Sequence, residues 1–376
     1  MMKRSEKIVI LIPDGESGTL IHVLRCLSEI RNLDIIVVST MTKIAVRYSR
    51  YISTFEYFPE SHSTKEWISH INTLSIKYSV DVILPSHESS IRKLIEHKHL
   101  LQQASKSLLL PSIDSFELAI DKERLSQYLQ KIGIPTPKYC PLKKLETVQK
   151  GRSALDYPLL LKPTQGDGGK GILRFEDSIQ LNDYLSLHEL TQPYLVQEFV
   201  EGTDLGFNVL CRDGEILAYT IQLGTLFQDQ EFMPQIGLKM IHEEIVLKSM
   251  KKLLKSLNWS GVAHIDLMYN MDSRKFNVLE INPRFWQTVQ ASSFADVNFP
   301  WLYCKAVLGH QFEIPNYQKI EYFTLDGIVK KLKSNPLFAC RVNYIWKHSP
   351  LKYVLSDPAI YIFHVFNKAK KKFSKT

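Results

Sequence analysis

The chain has 376 residues, 44% of them hydrophobic and 23% charged, which is the composition of a folded protein with two or three packed units rather than of a disordered one. Its net charge of +8 is uneven: residues 311–376 hold twelve Lys or Arg against four Asp or Glu, and the rest carries 35 groups of each sign. The basic excess belongs to the tail, says little about the ligand of the body, and lacks a recognition module that would point to nucleic acid.

The five cysteines, Cys26, Cys140, Cys211, Cys304 and Cys340, are widely spaced and form no CxxC pair or Cys/His cluster at zinc spacing. A reducing, cytoplasmic compartment is the expectation. The opening KIVILIP runs at once into Asp14, Gly15 and Glu16, so it reads as a buried first strand rather than a signal segment. No stretch approaches the roughly 20 apolar residues of a membrane span.

In chain order, KIVILI (7–12), LDIIVVST (33–40) and VDVILPS (80–86) read as strands separated by the helix-like segments TLIHVLRCLSEI and ISHINTLSIKYS. This alternation predicts a small parallel-sheet α/β domain over 1–111. The DGESGT turn (14–19) and the end of the third strand lie where open sheets bind ligands, although the same residues also make plain turns. A second unit is expected over 112–310: two helical pieces in SFELAIDKERLSQYLQKIG with Gly133 as a stop, a strand in YPLLLKP, further strands in TQPYLVQEFVEG and DLGFNVLCRDGEILAYTIQ, and a hairpin at RDGE. HEEIVLKSMKKLLKSLNW has helical spacing, and GVAHIDLMYNMDSRKFNVLEINPRF reads as two strands turning at Asp272 and Ser273.

Three features of this unit carry chemistry. In LLLKPTQGDGGKGI (159–172) a strand presents Lys162 ahead of Gly166, Gly168, Gly169, Lys170 and Gly171. Such a loop can aim backbone N–H groups at phosphate while lysines neutralise charge, or it is a flexible surface loop; it is neither a Walker phosphate loop nor a dinucleotide fingerprint. Asp266 is followed fourteen residues on by Glu280 and then Asn282, which share a strand face. A hairpin between them could gather three oxygen ligands around magnesium, or present a solvated face. Arg284 follows directly, and a guanidinium there suits phosphate or carboxylate.

In this order the pieces resemble the ATP-grasp superfamily, particularly its carboxylate-amine ligase branch, which also includes D-alanine ligases, carbamoyl phosphate synthase modules and biotin carboxylases. The resemblance covers roughly residues 1–310 and is strongest over 155–290. It implies an ATP-grasp fold of mixed α+β type, with ATP between two subdomains, preceded by the small α/β domain. It implies that Lys122 and Lys162 contact phosphates, that Gln165 to Ile172 is the loop over the triphosphate, and that Glu198 and Val200 form the adenine hinge around Phe199. Asp204 then matches the ribose acceptor, and Asp266, Glu280 and Asn282 match the set for magnesium, two ions with manganese as a substitute. Aspartate stands at position 266 where many relatives have glutamate. Arg284 matches the arginine that stabilises the transferred phosphoryl group. As plain structural residues, Lys122 would follow a capping aspartate, Phe199 would be core packing and Asp204 would sit in a GTD turn.

The reaction this implies is ATP- and magnesium-dependent: a carboxylate is activated as an acyl phosphate and joined to an amine, both small molecules or envelope precursors. The alternatives are biotin-carboxylase-like carboxylation and a nucleotide-binding assembly protein without turnover. His87 and Glu88 border the expected cleft and are substrate-contact candidates. His264, two residues before Asp266, either faces the acceptor or packs. Residues 225–242 match no motif and are expected to shape the acceptor pocket. The basic, aromatic-rich extension 311–376 either lies on an anionic membrane surface or packs on the body. Relatives often form homodimers.

Overall fold

The structure, a computed structural model, describes residues 7–59, 63–102, 108–142, 155–166 and 168–363. The β-branched runs at the start are buried from both sides, as parallel strands require. β1 (Ile8–Ile12) lies between β2 (Leu33–Ser39) and β4 (Val82–Ile83), and β3 (Thr54–Tyr57) completes a parallel sheet in the order β3-β2-β1-β4. Helices α1 (Leu20–Leu27), α2 (Thr64–Lys77) and α3 (Glu88–Glu96) cover it, α2 opening on a capping box between Ser63 and Glu66. The third strand expected over 80–86 is only two residues long. Its continuation keeps one bond to β1, from the Leu84 N–H to the Leu11 carbonyl at 2.9 Å, and the Ser86 N–H then donates to the buried Asp14 carboxylate at 2.6 Å. β3 was not foreseen, since TFEY carries a charge and no apolar run.

Two helices follow, α4 (Ile113–Ile120) and α5 (Lys122–Lys131), split at Asp121, whose carboxylate caps α5 by accepting from the Arg124 N–H. Gly133 ends the pair at φ +65°. An antiparallel sheet is then built from β5 (Tyr139–Pro141), β6 (Leu159–Pro163), β7 (Leu173–Phe175) and β8 (Tyr194–Glu198) in the order β5-β8-β6-β7, with α6 (Ser178–Leu187) outside it.

The largest sheet has the order β13-β12-β9-β10-β11-β14. β9 (Thr203–Arg212) and β10 (Glu215–Leu226) meet at Asp213 and Gly214, both at positive φ, as a type I′ turn demands. β11 (Gly237–Ile241) precedes α7 (Glu244–Ser256), which buries Val246, Met250, Leu253 and Leu254 against the sheet. β12 (Gly261–Tyr269) and β13 (Phe276–Asn282) form the expected hairpin. α8 (Val289–Phe294) and α9 (Phe299–Val307) pack on α1, so one continuous core joins the first sheet to the largest one.

The segment read from sequence as a C-terminal extension supplies β14 (Glu321–Phe323), an edge strand of the large sheet, and then α10 (Leu325–Ser334), α11 (Val342–Lys347) and α12 (Leu351–Ser356). It is tied to the first unit: the Asp357 carboxylate accepts from Ser49 Oγ at 2.6 Å and the Arg50 N–H at 3.1 Å, and Lys352 pairs with Glu29 at 3.1 Å. The lysines at 368, 370–372 and 375 lie outside the described residues. Among those described, no helix is long and apolar enough to cross a membrane.

Candidate active site

The two antiparallel sheets and the edge of the first unit enclose a cavity of about 330 Å³, within the size range of small-molecule sites. Lys162, near the end of β6, is 7% exposed and donates through Nζ to Gln197 Oε1 on β8 at 2.7 Å. Burial lowers its pKa to about 8, helped by the Lys122 cation and opposed by Glu280. Lys122 is the first residue of α5, so the Asp121 cap that starts the helix also aims this lysine. Its Nζ donates to the Gly166 carbonyl at 2.9 Å and pairs with Glu280 Oε2 at 2.9 Å.

The β12–β13 register sets Asp266 opposite Glu280 and His264 opposite Asn282. Asn282 Nδ2 bridges the two acids, donating to Asp266 Oδ2 at 2.8 Å and Glu280 Oε1 at 3.2 Å. Burial pushes the Asp266 carboxyl up, but the neighbouring His264 and hydrogen bonding outweigh it and hold the group below its usual value. Arg284 donates through Nε to Glu88 Oε1 at 3.1 Å and through Nη2 to Asn282 Oδ1 at 3.2 Å. Asp204 on β9 stands nearby, its pKa raised to about 6 by burial and then by the Asp266 charge.

Two close carboxylates with an amide between them are hard oxygen donors of the kind magnesium takes alongside substrate phosphates. Asp266 and Glu280 fit that role. Asn282, as it stands, turns its N–H groups to the acids and its oxygen to Arg284, so ligation by its oxygen needs the amide to rotate. No group of three or more His, Cys, Asp or Glu suited to a metal occurs among the described residues.

At the other side, Glu198, Phe199 and Val200 line the cavity where β8 ends. The Glu198 N–H donates to the Lys138 carbonyl at 2.9 Å, and the Phe199 N–H to the Pro158 carbonyl at 2.9 Å. The Phe199 ring carries the Arg174 guanidinium 4.3 Å from its centroid. Gly168 and Gly169 line the same cavity; Gly166 lines a second one of about 250 Å³ behind Glu280 and Asn282, as does Glu88, while Lys170 and Gly171 line neither. His87 reaches the main cavity beside Ser17 and Thr19. The DGESGT segment is thus both a structural turn and a cavity wall.

Sequence reasoning did not name the residues of the far end. Gln222, Trp286, Gln287 and Thr288 line it, and Phe232 to Gln235 roof it, inside the 225–242 segment expected to shape a pocket. His264 is stacked on Trp286, with ring centroids 5.6 Å apart, and is held by Asn208 Oδ1 at 2.6 Å and Asp266 Oδ1 at 2.9 Å. Asn208 in turn donates to Thr220 and Gln222, and Gln222 Nε2 donates to Thr288 Oγ1 at 3.0 Å. This buried polar chain connects the acids to the far end. The NPRF motif had marked Arg284 but not the WQT that follows it.

An ATP-grasp domain family matches residues 119–288. The carbamoyl-phosphate synthase of Methanobrevibacter smithii is 23% identical over 225 residues, which cover 56% of this chain and 59% of that protein. The chain thus spans less than two thirds of that relative, and about a fifth of the carbamoyl phosphate synthase large chains it also matches. Among solved structures, the N5-carboxyaminoimidazole synthetase of Staphylococcus aureus complexed with ADP superposes with a TM-score of 0.67 at 15% identity, covering 88% of this chain and 86% of that one. The L-amino acid ligase of Bacillus licheniformis gives 0.58 at 15% identity, covering 81% and 75%. At these identities the likeness is one of fold.

Proposed function

The chain belongs to the ATP-grasp superfamily, and from that premise we propose that it uses ATP and magnesium to activate a small-molecule carboxylate and join it to an amine. The observation that carries this reading is the convergence of Lys122, Lys162, Asp266, Glu280 and Arg284, from four separate elements, on one cavity. In this reading adenine lies at the end of β8, with Asp204 facing the ribose. Lys122 and Lys162 hold the phosphates.

Asp266 and Glu280 would hold magnesium, which supplies charge neutralisation at the transferring phosphoryl group. A substrate carboxylate oxygen forms a bond to the γ-phosphorus as the bond to ADP breaks. Lys162 and Arg284 offset the charge that builds on the phosphoryl oxygens. Lys162 suits this because it already sits in a desolvated position, where its charge acts more strongly than in water. The amine then bonds to the acyl carbon, phosphate leaves with the electron pair, and the amine nitrogen gives up a proton. The roof and the glycine-rich turn keep water from the acyl phosphate.

The test is phosphate release across pairs of acids and amines, with the product identified by mass. ATP turnover that depends on bicarbonate would instead favour carboxylation. MgADP binding without turnover on any pair would favour a nucleotide-binding assembly protein.

A further inference from the structure

The roof of the far end, residues 227–236, is gripped at both ends by the C-terminal extension. At its start, Lys330 Nζ of α10 donates to the Phe227 carbonyl at 2.8 Å and pairs with Asp229 at 2.5 Å. At its end, the Ile236 carbonyl accepts from the Thr324 N–H at 2.9 Å and from Thr324 Oγ1 at 3.3 Å, and β14 pairs with β11 directly after it. Gly327 sits so close that a Cβ there would lie 2.0 Å from the Ile236 oxygen.

The roof in turn touches the glycine-rich turn. A Cβ on Gly169 would lie 2.0 Å from the Phe232 carbonyl oxygen, and Gly169 has φ +74°, so glycine alone fits this contact. Phe232 itself has φ +60°, a conformation its side chain disfavours, so it persists because its surroundings hold it. The Gln235 Oε1 atom is buried and has no hydrogen-bond partner. The roof is held partly from within, by the Ile236 N–H on the Leu226 carbonyl at 2.9 Å and Gln228 Nε2 on the Pro234 carbonyl at 3.3 Å, while the Lys330 and Thr324 tethers come from outside the matched domain at 119–288.

We propose that Lys330 is a positioning residue: the C-terminal extension holds the roof over the cavity through it, and through Phe232 sets how the glycine-rich turn rests on bound nucleotide. This rests on the reading of the cavity as a nucleotide site. Losing one charged donor to a half-exposed carbonyl and one surface ion pair speeds nucleotide release by about three- to tenfold.

The experiment compares the full chain with Lys330→Met and Lys330→Arg, by amide hydrogen exchange without ligand and by stopped-flow release of a fluorescent ADP with magnesium. In Lys330→Met, exchange should rise in 227–236 and in 168–172 while β1, β2 and α7 keep their protection, and ADP should leave faster. Lys330→Arg, which keeps a donor and a charge, should restore both. Faster exchange in the roof alone, with the glycine-rich turn and ADP release unchanged, overturns the coupling. No change in either, or a loss of protection everywhere, overturns the positioning role. If the native chain binds no ADP, the nucleotide reading fails, and the exchange arm still decides whether Lys330 holds the roof and the turn.

Discussion

The two ends of the cavity are built on opposite plans. Around the phosphate end most of the charged groups are paired, Lys122 with Glu280 and Arg284 with Glu88, with His264 hydrogen-bonded to Asp266 and Asn282 between the two acids, while Lys162 bonds the neutral Gln197 and Asp204 has the Asp266 charge beside it. At the far end the walls are amides, a hydroxyl and aromatic rings, and two polar atoms, Gln235 Oε1 and Trp286 Nε1, are buried without partners. Paired charges in a cavity still carry a desolvation cost, which their mutual attraction offsets in part, and a charged ligand can exchange for either partner. Unpartnered neutral groups are a standing cost of about 1–3 kcal/mol each, which a ligand that supplies the missing bond relieves. Under the proposed function, charge handling falls to one end and discrimination between substrates to the other.

The largest effect should come from breaking the matched end. Glu280→Gln removes one acid of the cross-strand pair and the partner of Lys122. ATP-dependent phosphate release should fall by about a hundredfold or more, with weaker magnesium dependence of nucleotide binding. Full turnover in this variant would remove Glu280 from the metal set. The far end should respond differently. Gln235→Leu deletes an amide but keeps the Lys330 and Thr324 tethers of the roof and the charge cluster, so the KM for the second substrate should change by about tenfold while ADP affinity stays the same. A fall in ADP affinity with no change in KM would erase the division between the ends.

That division also separates what the sequence made legible from what it hid. Lys162, the glycine-rich turn, Asp266, Glu280, Asn282 and Arg284 were singled out because their order along the chain resembles the ATP-grasp pattern, and the fold brings Lys162, Gly168, Gly169, Asp266, Glu280, Asn282 and Arg284 to one cavity. The hairpin at Asp213–Gly214 and the break at Asp121 were readable because turn and cap chemistry is local. Gln222, Trp286 and Thr288 were not, since neutral residues on β10 and on the segment after β13 make no pattern until the fold places them together. β14 was hidden for a similar reason: three residues in a basic segment become a strand only because β11 offers an edge. Glu88 was marked as a substrate candidate; its pairing with Arg284 is a contact across 196 positions of chain that no spacing rule reaches.

A smaller effect concerns pH. Lys162 titrates near 8 and Asp204 near 6 in the free protein, the first lowered and the second raised chiefly by burial. Phosphate binding uses the protonated lysine, so ADP affinity should decline as pH rises through about 8. Ribose binding uses the ionised aspartate, so affinity should also decline as pH falls through about 6. Each limb should span a few-fold to tenfold change, since a bound phosphate raises the Lys162 pKa toward its ordinary value and ribose hydroxyls donating to the Asp204 carboxylate lower its pKa toward the ordinary range. Fluorescent-ADP titrations between pH 5 and 9 read both limbs, and Asp204→Asn should flatten only the acidic one. An unaltered acidic limb in Asp204→Asn would assign it to the phosphates of the nucleotide itself.

The smallest effect should come from Asp229→Asn. Its side chain is 96% exposed, and its pairing with Lys330 competes with water and salt, so the charge itself contributes little. The Lys330 bond to the Phe227 carbonyl survives the substitution, and so do the Thr324 bonds to Ile236. ADP release should therefore stay within about twofold of the native chain at 0.15 M salt. A change as large as that of Lys330→Met would mean that the exposed ion pair, rather than the carbonyl bond, fixes the roof, and raising the salt concentration would then mimic the mutation in the native chain.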